Sequence, residues 1–265
     1  MTPPDVDTPL LEQARRLAEN GDLDGAAGIL SGLARDPDGP DRAQAAVGLA
    51  VVLEQRGDAD AARAAARVAL ESGHPEYAAQ AACHLAQGFE REGRLDQARG
   101  AWQAVIGVGN AAYAPLAHLA LARLAAHDGD LDRAESELRS AIAVGEPELG
   151  AHAAQQLAEL LLERGEPGEA ADVLLAALAE APASATPRLR VQLGIAHLEL
   201  ACAEFAGAVE DGAEPETSAL AIELLARTLP LRGRTDDAEQ VWSYGLGHAD
   251  PVLAAEVTLR FNRDT

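Results

Sequence analysis

Residues 121–141 read Leu-Ala-Arg-Leu-Ala-Ala-His-Asp-Gly-Asp-Leu-Asp-Arg-Ala-Glu-Ser-Glu-Leu-Arg-Ser-Ala, and this stretch decides the fold. Gly129 stands inside it with small and apolar residues at helical spacing on either side. One helix ends before Gly129 and another begins just after it. Glycine in the left-handed conformation ends the first helix at little steric cost, and Asp130 is placed to cap the second. The phrase returns every 36 residues: Gly21-Asp-Leu-Asp-Gly-Ala, Gly57-Asp-Ala-Asp-Ala-Ala, Gly93-Arg-Leu-Asp-Gln-Ala and Gly165-Glu-Pro-Gly-Glu-Ala. A fixed period of this size means stacked copies of one supersecondary unit, here a helix hairpin.

Positions around the turn define how the hairpin closes. Seven residues before it stand Ala14, Ala50, Ala86, Ala122 and Ala158, and five after it Ala26, Ala62, Ala98, Ala134 and Ala170. Small residues at facing positions let two antiparallel helices approach closely. Leucine stands eight before (Leu49, Leu85, Leu121, Leu157), and bulk stands nine after (Leu30, Trp102, Leu138, Leu174) to fill the gap to the next pair. Trp242 has the same offset after a later turn, so both tryptophans are read as packing residues. Composition agrees: alanine and leucine dominate, aromatics are 3%, and strand-forming runs are absent.

Within one unit, Leu121-Ala122, Gly129, Leu131, Ala134, Leu138 and Ala141 follow the order of the tetratricopeptide repeat signature. The chain resembles that family over roughly residues 8–262, as a 36-residue bacterial variant of actinobacterial type. It departs from the 34-residue family unit in its longer connections, Ser72-Gly-His-Pro-Glu76 and Val144-Gly-Glu-Pro-Glu148. It also carries Ala where the family has Gly beside the leucine. The resemblance implies an all-α, right-handed α-solenoid of stacked antiparallel hairpins, about seven of them with a closing helix.

The pattern loosens towards the carboxy terminus. The next turn is expected at Ala201, after Leu193-Gly194 and before Ala206, with a short second helix ending near Asp211-Gly212. The turn at Gly233 follows, flanked by Leu225-Ala226, Ala238 and Trp242, and Pro230 should end its first helix early. A last helix opens after Asp250-Pro251. The expected organisation is a disordered 1–7, a regular array over 8–180, a joint at 181–187, and irregular hairpins with a capping helix over 188–265. That makes fifteen helices.

The formal charge of −22 argues against nucleic acid and anionic membranes, which need clustered cations. Two readings of the acid stay open: solubility, or selection of a basic partner. All cations are Arg, as a GC-rich bacterial genome would leave them. Cys83 and Cys202 lie far apart without a CxxC pair, which suits a reducing cytoplasm. Residues 1–9 lack the basic start and apolar core of a signal peptide, and no stretch reads as a membrane span.

In the family resembled, first helices line a concave groove that holds ligand peptides. Its side chains lie ten, six and thirteen residues before the turn. Here the row at ten is Leu11, Val47, Cys83, Leu119, Gln155, Val191 and Glu223. The row at six is Arg15, Val51, Gln87, Arg123, Glu159, Ile195 and Arg227, and the row at thirteen is Thr8, Gln44, Gln80, Leu116, His152, Arg188 and Leu220. The expected partner-binding residues are Gln80, His84, Gln87, Arg123, His127, His152, Gln155, Glu159 and Arg188, on one surface. The strip reads either as a peptide-binding face or as an ordinary solvated one. Apolar entries such as Val47, Val51 and Leu119 suit an amphipathic helix or simple packing. The Lys and Asn clamp of better-known members is missing, so recognition of a chaperone's carboxy-terminal tail is not expected.

No catalytic constellation emerges. The histidines show neither His-x3-His nor His-Glu-x-x-His spacing, so no metal or cofactor is expected. Cys83 and His84 are adjacent in a helix and point about 100° apart, which rules out a nucleophile–base pair. Gly107-Val-Gly-Asn110 ends a helix and is a connector rather than a phosphate loop. The favoured function is a non-enzymatic scaffold binding a protein or peptide, basic or amphipathic-helical, with a homodimer left open. The alternatives are a ligand-responsive regulator acting through a separate partner, and an enzyme using His197, Glu199, Glu204, Glu210 or Asp211 in the irregular third.

Overall fold

The computed structural model describes residues 9–212 and 214–264; the expectation of disorder over 1–7 lies outside the described residues. All regular structure among these residues is helical. The chain divides into two compact units, Met1–Ala153 and Ala154–Thr265.

The first unit holds α1 (Leu10–Glu19), α2 (Leu23–Arg35), α3 (Arg42–Gln55), α4 (Ala59–Glu71), α5 (Pro75–Arg91), α6 (Leu95–Val108), α7 (Ala114–His127) and α8 (Leu131–Val144). It ends within α9 (Pro147–Glu163), which crosses the boundary. Consecutive helices pair as four hairpins, and α2, α4 and α6 also pack on the next first helix. Gly21, Gly57, Gly93 and Gly129 close these hairpins with φ of +83°, +85°, +71° and +78°. In that conformation a Cβ would crowd the backbone, so glycine is the residue that fits. Asp22 and Asp130 cap the helices that follow, accepting from Gly25 N at 2.9 Å and Arg133 N at 3.1 Å. The longer connection between hairpins has a visible use: Gly73 (φ +68°) stops α4, and His74 Nδ1 caps α5, accepting from Glu76 N at 3.3 Å.

The facing alanines Ala14, Ala50, Ala86, Ala122, Ala26, Ala62, Ala98 and Ala134 are all buried, as are Leu30, Trp102 and Leu138. Trp102 fills the core with its indole Nε1–H donating to Glu90 Oε1 at 2.8 Å. Small side chains set the helix spacing, and the bulky ones seal the remainder.

The second unit contains the rest of α9, then α10 (Pro167–Glu180), α11 (Thr186–Glu210), α12 (Pro215–Thr228), a 3-10 turn (Leu229–Arg232), α13 (Thr235–Leu246) and α14 (Pro251–Phe261). Gly165 and Gly233 again turn with φ of +77° and +73°. Pro230 sits in the 3-10 turn, where its missing N–H costs nothing, and α12 ends two residues before it.

One expected hairpin is corrected. No turn forms at Ala201: α11 runs unbroken through it for 25 residues, about 37 Å. The physical reason lies in the residues. Leu200-Ala-Cys-Ala-Glu-Phe-Ala206 contains no glycine for a left-handed residue and no Asp to cap a new helix, and most of it favours helix. Two expected helices fuse, leaving fourteen α-helices among the described residues. Beyond the fusion, α12 packs on α11, α13 and α14, around Ala219, Ile222, Leu253 and Val257. Gly245 permits the closest approach, since a Cβ there would stand 2.9 Å from Val257 Cγ1 and 3.0 Å from Ile222 Cγ2.

Candidate functional site

Adjacent positions on the first helices behave oppositely. Seven before the turn the alanines are buried; one residue later Arg15, Val51, Gln87 and Arg123 are exposed. A step of 100° between neighbours accounts for the switch. In the first unit the row at ten turns inward instead: Cys83 and Leu119 are buried and Val47 half-buried, so these are packing residues, whereas Val191 of the same row is exposed on α11. Thr8 lies outside the described residues.

In the first unit the expected site residues are largely engaged in tying hairpins together. Gln80 donates to Glu76 Oε1 at 2.7 Å, and the same carboxylate accepts from Tyr113 Oη at 2.8 Å and Asn110 Nδ2 at 3.1 Å. These bonds, the Tyr113 hydroxyl foremost, hold Glu76 below the usual carboxylate range. His84 Nε2 lies 2.9 Å from Glu54 Oε2, whose other oxygen pairs with Arg91. Burial nonetheless pushes the His84 imidazole below its ordinary value. Arg123 Nη2 donates to Glu90 Oε2 at 2.6 Å. Gln87 and His127 are exposed on α5 and α7, and His152 is exposed on α9. Leu116 and Val51, 37% and 40% exposed, add apolar surface to the same helices.

In the second unit Gln155 Nε2 donates to Glu159 Oε1 at 3.3 Å, and Gln192 Nε2 donates to the same oxygen at 2.7 Å. Arg188 is exposed in the first turn of α11. Sequence reasoning missed the acids Glu54, Glu76 and Glu90, which hold the expected residues in place. The signal was available: Glu54 and Glu90 each stand three residues before a turn glycine, with Arg91 and Arg123 on the next first helix.

A second feature arises where the sixth hairpin fails to close. A cleft of about 710 Å³ opens beside the carboxy-terminal half of α11. Its walls are Leu162 and Pro167, Ala203, Ala206 and Val209 of α11, Ile222 and Leu225 of α12, and Val241 and Tyr244 of α13. Buried Cys202 also lines it, its thiol pushed up by burial and next by Glu199. Glu199 and Glu210 of the enzyme alternative reach the cleft; His197, Glu204 and Asp211 are not among its lining residues. Three carboxylates line the cleft, Glu199, Glu210 and Asp237, and the two on α11 stand eleven residues apart, about 16 Å along its axis. Arg232 Nε already donates to Glu199 at 2.8 Å. Among the described residues no group of three or more His, Cys, Asp or Glu is placed to hold a metal ion.

A family model described as a tetratricopeptide repeat matches residues 11–80, and one described as a tetratricopeptide repeat-like domain matches residues 107–190. Together they span more than half of the chain. No curated protein matches. Among solved structures, the crystal structure of MamA is 18% identical, covering 63% of this chain and 93% of its own, with a TM-score of 0.49. A tetratricopeptide repeat protein from Parabacteroides merdae is 17% identical over 96% of this chain and 98% of its own, with a TM-score of 0.48. A thermophilic tetratricopeptide repeat protein of Thermus thermophilus is 27% identical over 71% and 97%, with a TM-score of 0.34.

Proposed function

The chain belongs to the tetratricopeptide repeat family, and from that premise we propose that it is a non-enzymatic scaffold holding a peptide or protein segment against its first helices. A fold of this family suggests a protein–protein interaction scaffold in general, and its members are typically non-enzymatic. The observation that supports the finer reading is the row of exposed side chains on α1, α3, α5 and α7, one position on from the buried alanines. Arg15, Gln87 and Arg123 offer hydrogen bonds, while Val51 and Leu116 offer apolar contact. A segment with alternating polar and apolar residues suits that mixture, and the charge of −22 favours a basic one. In the second unit, taken by itself, Gln155 and Glu159 of α9 and Arg188 of α11 are the proposed contact residues. No helix among the described residues is long and apolar enough to cross a membrane. The two free, buried thiols suit a reducing compartment, so the proposed setting is the cytoplasm.

The test is capture of partners on the immobilised chain, beside a variant carrying Gln87→Ala, Arg123→Ala and His127→Ala. A partner held by the wild type and lost by the variant, with helicity unchanged, supports the reading. Equal capture by both places the interaction elsewhere and ends it.

A further inference from the structure

The second helix of a hairpin normally lies against its own first helix and against the first helix of the next unit, as α6 lies against α5 and α7. The sixth unit has a first helix, α11, and a following first helix, α12, but no helix between them in that place among the described residues. The cleft lies there. Ala203 and Ala206 of α11 face it with Leu225 of α12, and its flanks are the start of α10 and the side of α13. Those flanking helices are the second helices of the fifth and seventh hairpins.

We propose that this cleft receives a basic amphipathic helix from a partner protein, which completes the sixth hairpin in trans. The inference stands apart from the first-helix surface proposed above. Three observations carry it. The lining along α13 runs from Arg234 to Tyr244, ten residues or about 15 Å, so the cleft is long enough for nearly three helical turns. Its walls are mostly apolar, with small residues where a helix backbone would approach. Its free charge is negative. Glu199 is taken by Arg232 at 2.8 Å and Asp237 by Arg234 at 2.6 Å, whereas Glu210 has no ion-pair partner among the described residues. Glu210 also sits in the last turn of α11, where the helix end itself carries partial negative charge. A cation on the incoming helix answers both.

The probe is a fluorescein-labelled peptide of α8, Leu131–Val144, carrying Asp132→Arg, Glu135→Arg and Glu137→Arg. It keeps the packing face Ala134, Leu138 and Ala141 of the chain's own second helices. Anisotropy on the full chain at low salt should show saturable binding, about tenfold tighter than for the unsubstituted peptide. Ala206→Trp, which fills the cleft, should weaken binding by at least about tenfold. Glu210→Arg, exposed and outside the packing, should weaken it severalfold while the fold is unchanged. Gln87→Ala should leave it unaltered, and the bound peptide should slow N-ethylmaleimide labelling of Cys202 but not of Cys83. Absence of saturable binding to the wild type overturns the proposal. So does equal binding by the Glu210→Arg chain, or an apolar dye that occupies the cleft and is not displaced by the peptide.

Discussion

Arg123 Nη2 donates to Glu90 Oε2 at 2.6 Å across a chain separation of 33 residues, tying the first helix of one hairpin to the first helix of the hairpin before it. The other oxygen of Glu90 accepts from the buried indole of Trp102 at 2.8 Å. One carboxylate thus joins a core aromatic residue to the next repeat. The two bonds differ in worth because they differ in exposure.

Arg123 is 62% exposed, and an exposed ion pair contributes about 0–1 kcal/mol. Removing Glu90 instead strands the Trp102 N–H in the core, at a cost of about 1–3 kcal/mol. Glu90→Ala should therefore lower the urea midpoint of the first unit more than Arg123→Ala does. Trp102 fluorescence in a Trp242→Phe background isolates that unit. Equal losses in the two variants would mean the indole finds another acceptor.

Gly129 and Ala201 are equivalent in the repeat and opposite in conformation. Gly129→Ala forces a side chain into φ +78° and should cost about 1–2 kcal/mol. Ala201→Gly places glycine in the interior of α11 and should cost about 1 kcal/mol without restoring a turn. Circular dichroism and urea unfolding read both. A loss of helix in Ala201→Gly large enough to split α11 would refute the account of the fused hairpin.

Gly245→Ala should destabilise the second unit by about 1–3 kcal/mol, because the added methyl meets Val257 and Ile222 within 3.0 Å. Trp242 emission reports the unfolding. Pairing it with Val257→Ala should recover part of the loss, and no recovery would place the strain elsewhere.

His84 predicts a pH dependence. Its folded value lies below the ordinary 6.5, so in that window the unfolded chain binds more protons than the folded one. The stabilisation is complete above 6.5 and is lost as pH falls through the folded value. The first unit should weaken as pH falls below about 6.5, and His84→Gln should flatten the decline. Parallel slopes in the two proteins would remove His84 as the cause.

Much of the fold was legible along the chain because each repeat restates the same local requirement. A glycine every 36 residues, an alanine seven before and another five after fix turn and packing without reference to distant residues. The site was less legible. Gln80, His84 and Arg123 were correctly placed on first helices, but their partners Glu76, Glu54 and Glu90 bind them at ranges of 4, 30 and 33 residues. Whether a polar side chain faces a ligand or its neighbour is settled by which carboxylate comes within reach.

The sequence by itself determined the repeat, its period and the hairpin turns at Gly21, Gly57, Gly93, Gly129, Gly165 and Gly233, because left-handed backbone and close helix contact each admit few residue types. Tertiary structure alone decided three matters: that α11 passes straight through Ala201, that acids one repeat away tie the first helices together, and that an apolar cleft remains beside α11. Each of these is a competition. A weak turn signal meets strong helix propensity, a solvated charge meets an ion pair, and an unfilled space has no residue to announce it; such contests are resolved only when the neighbouring helices are in place.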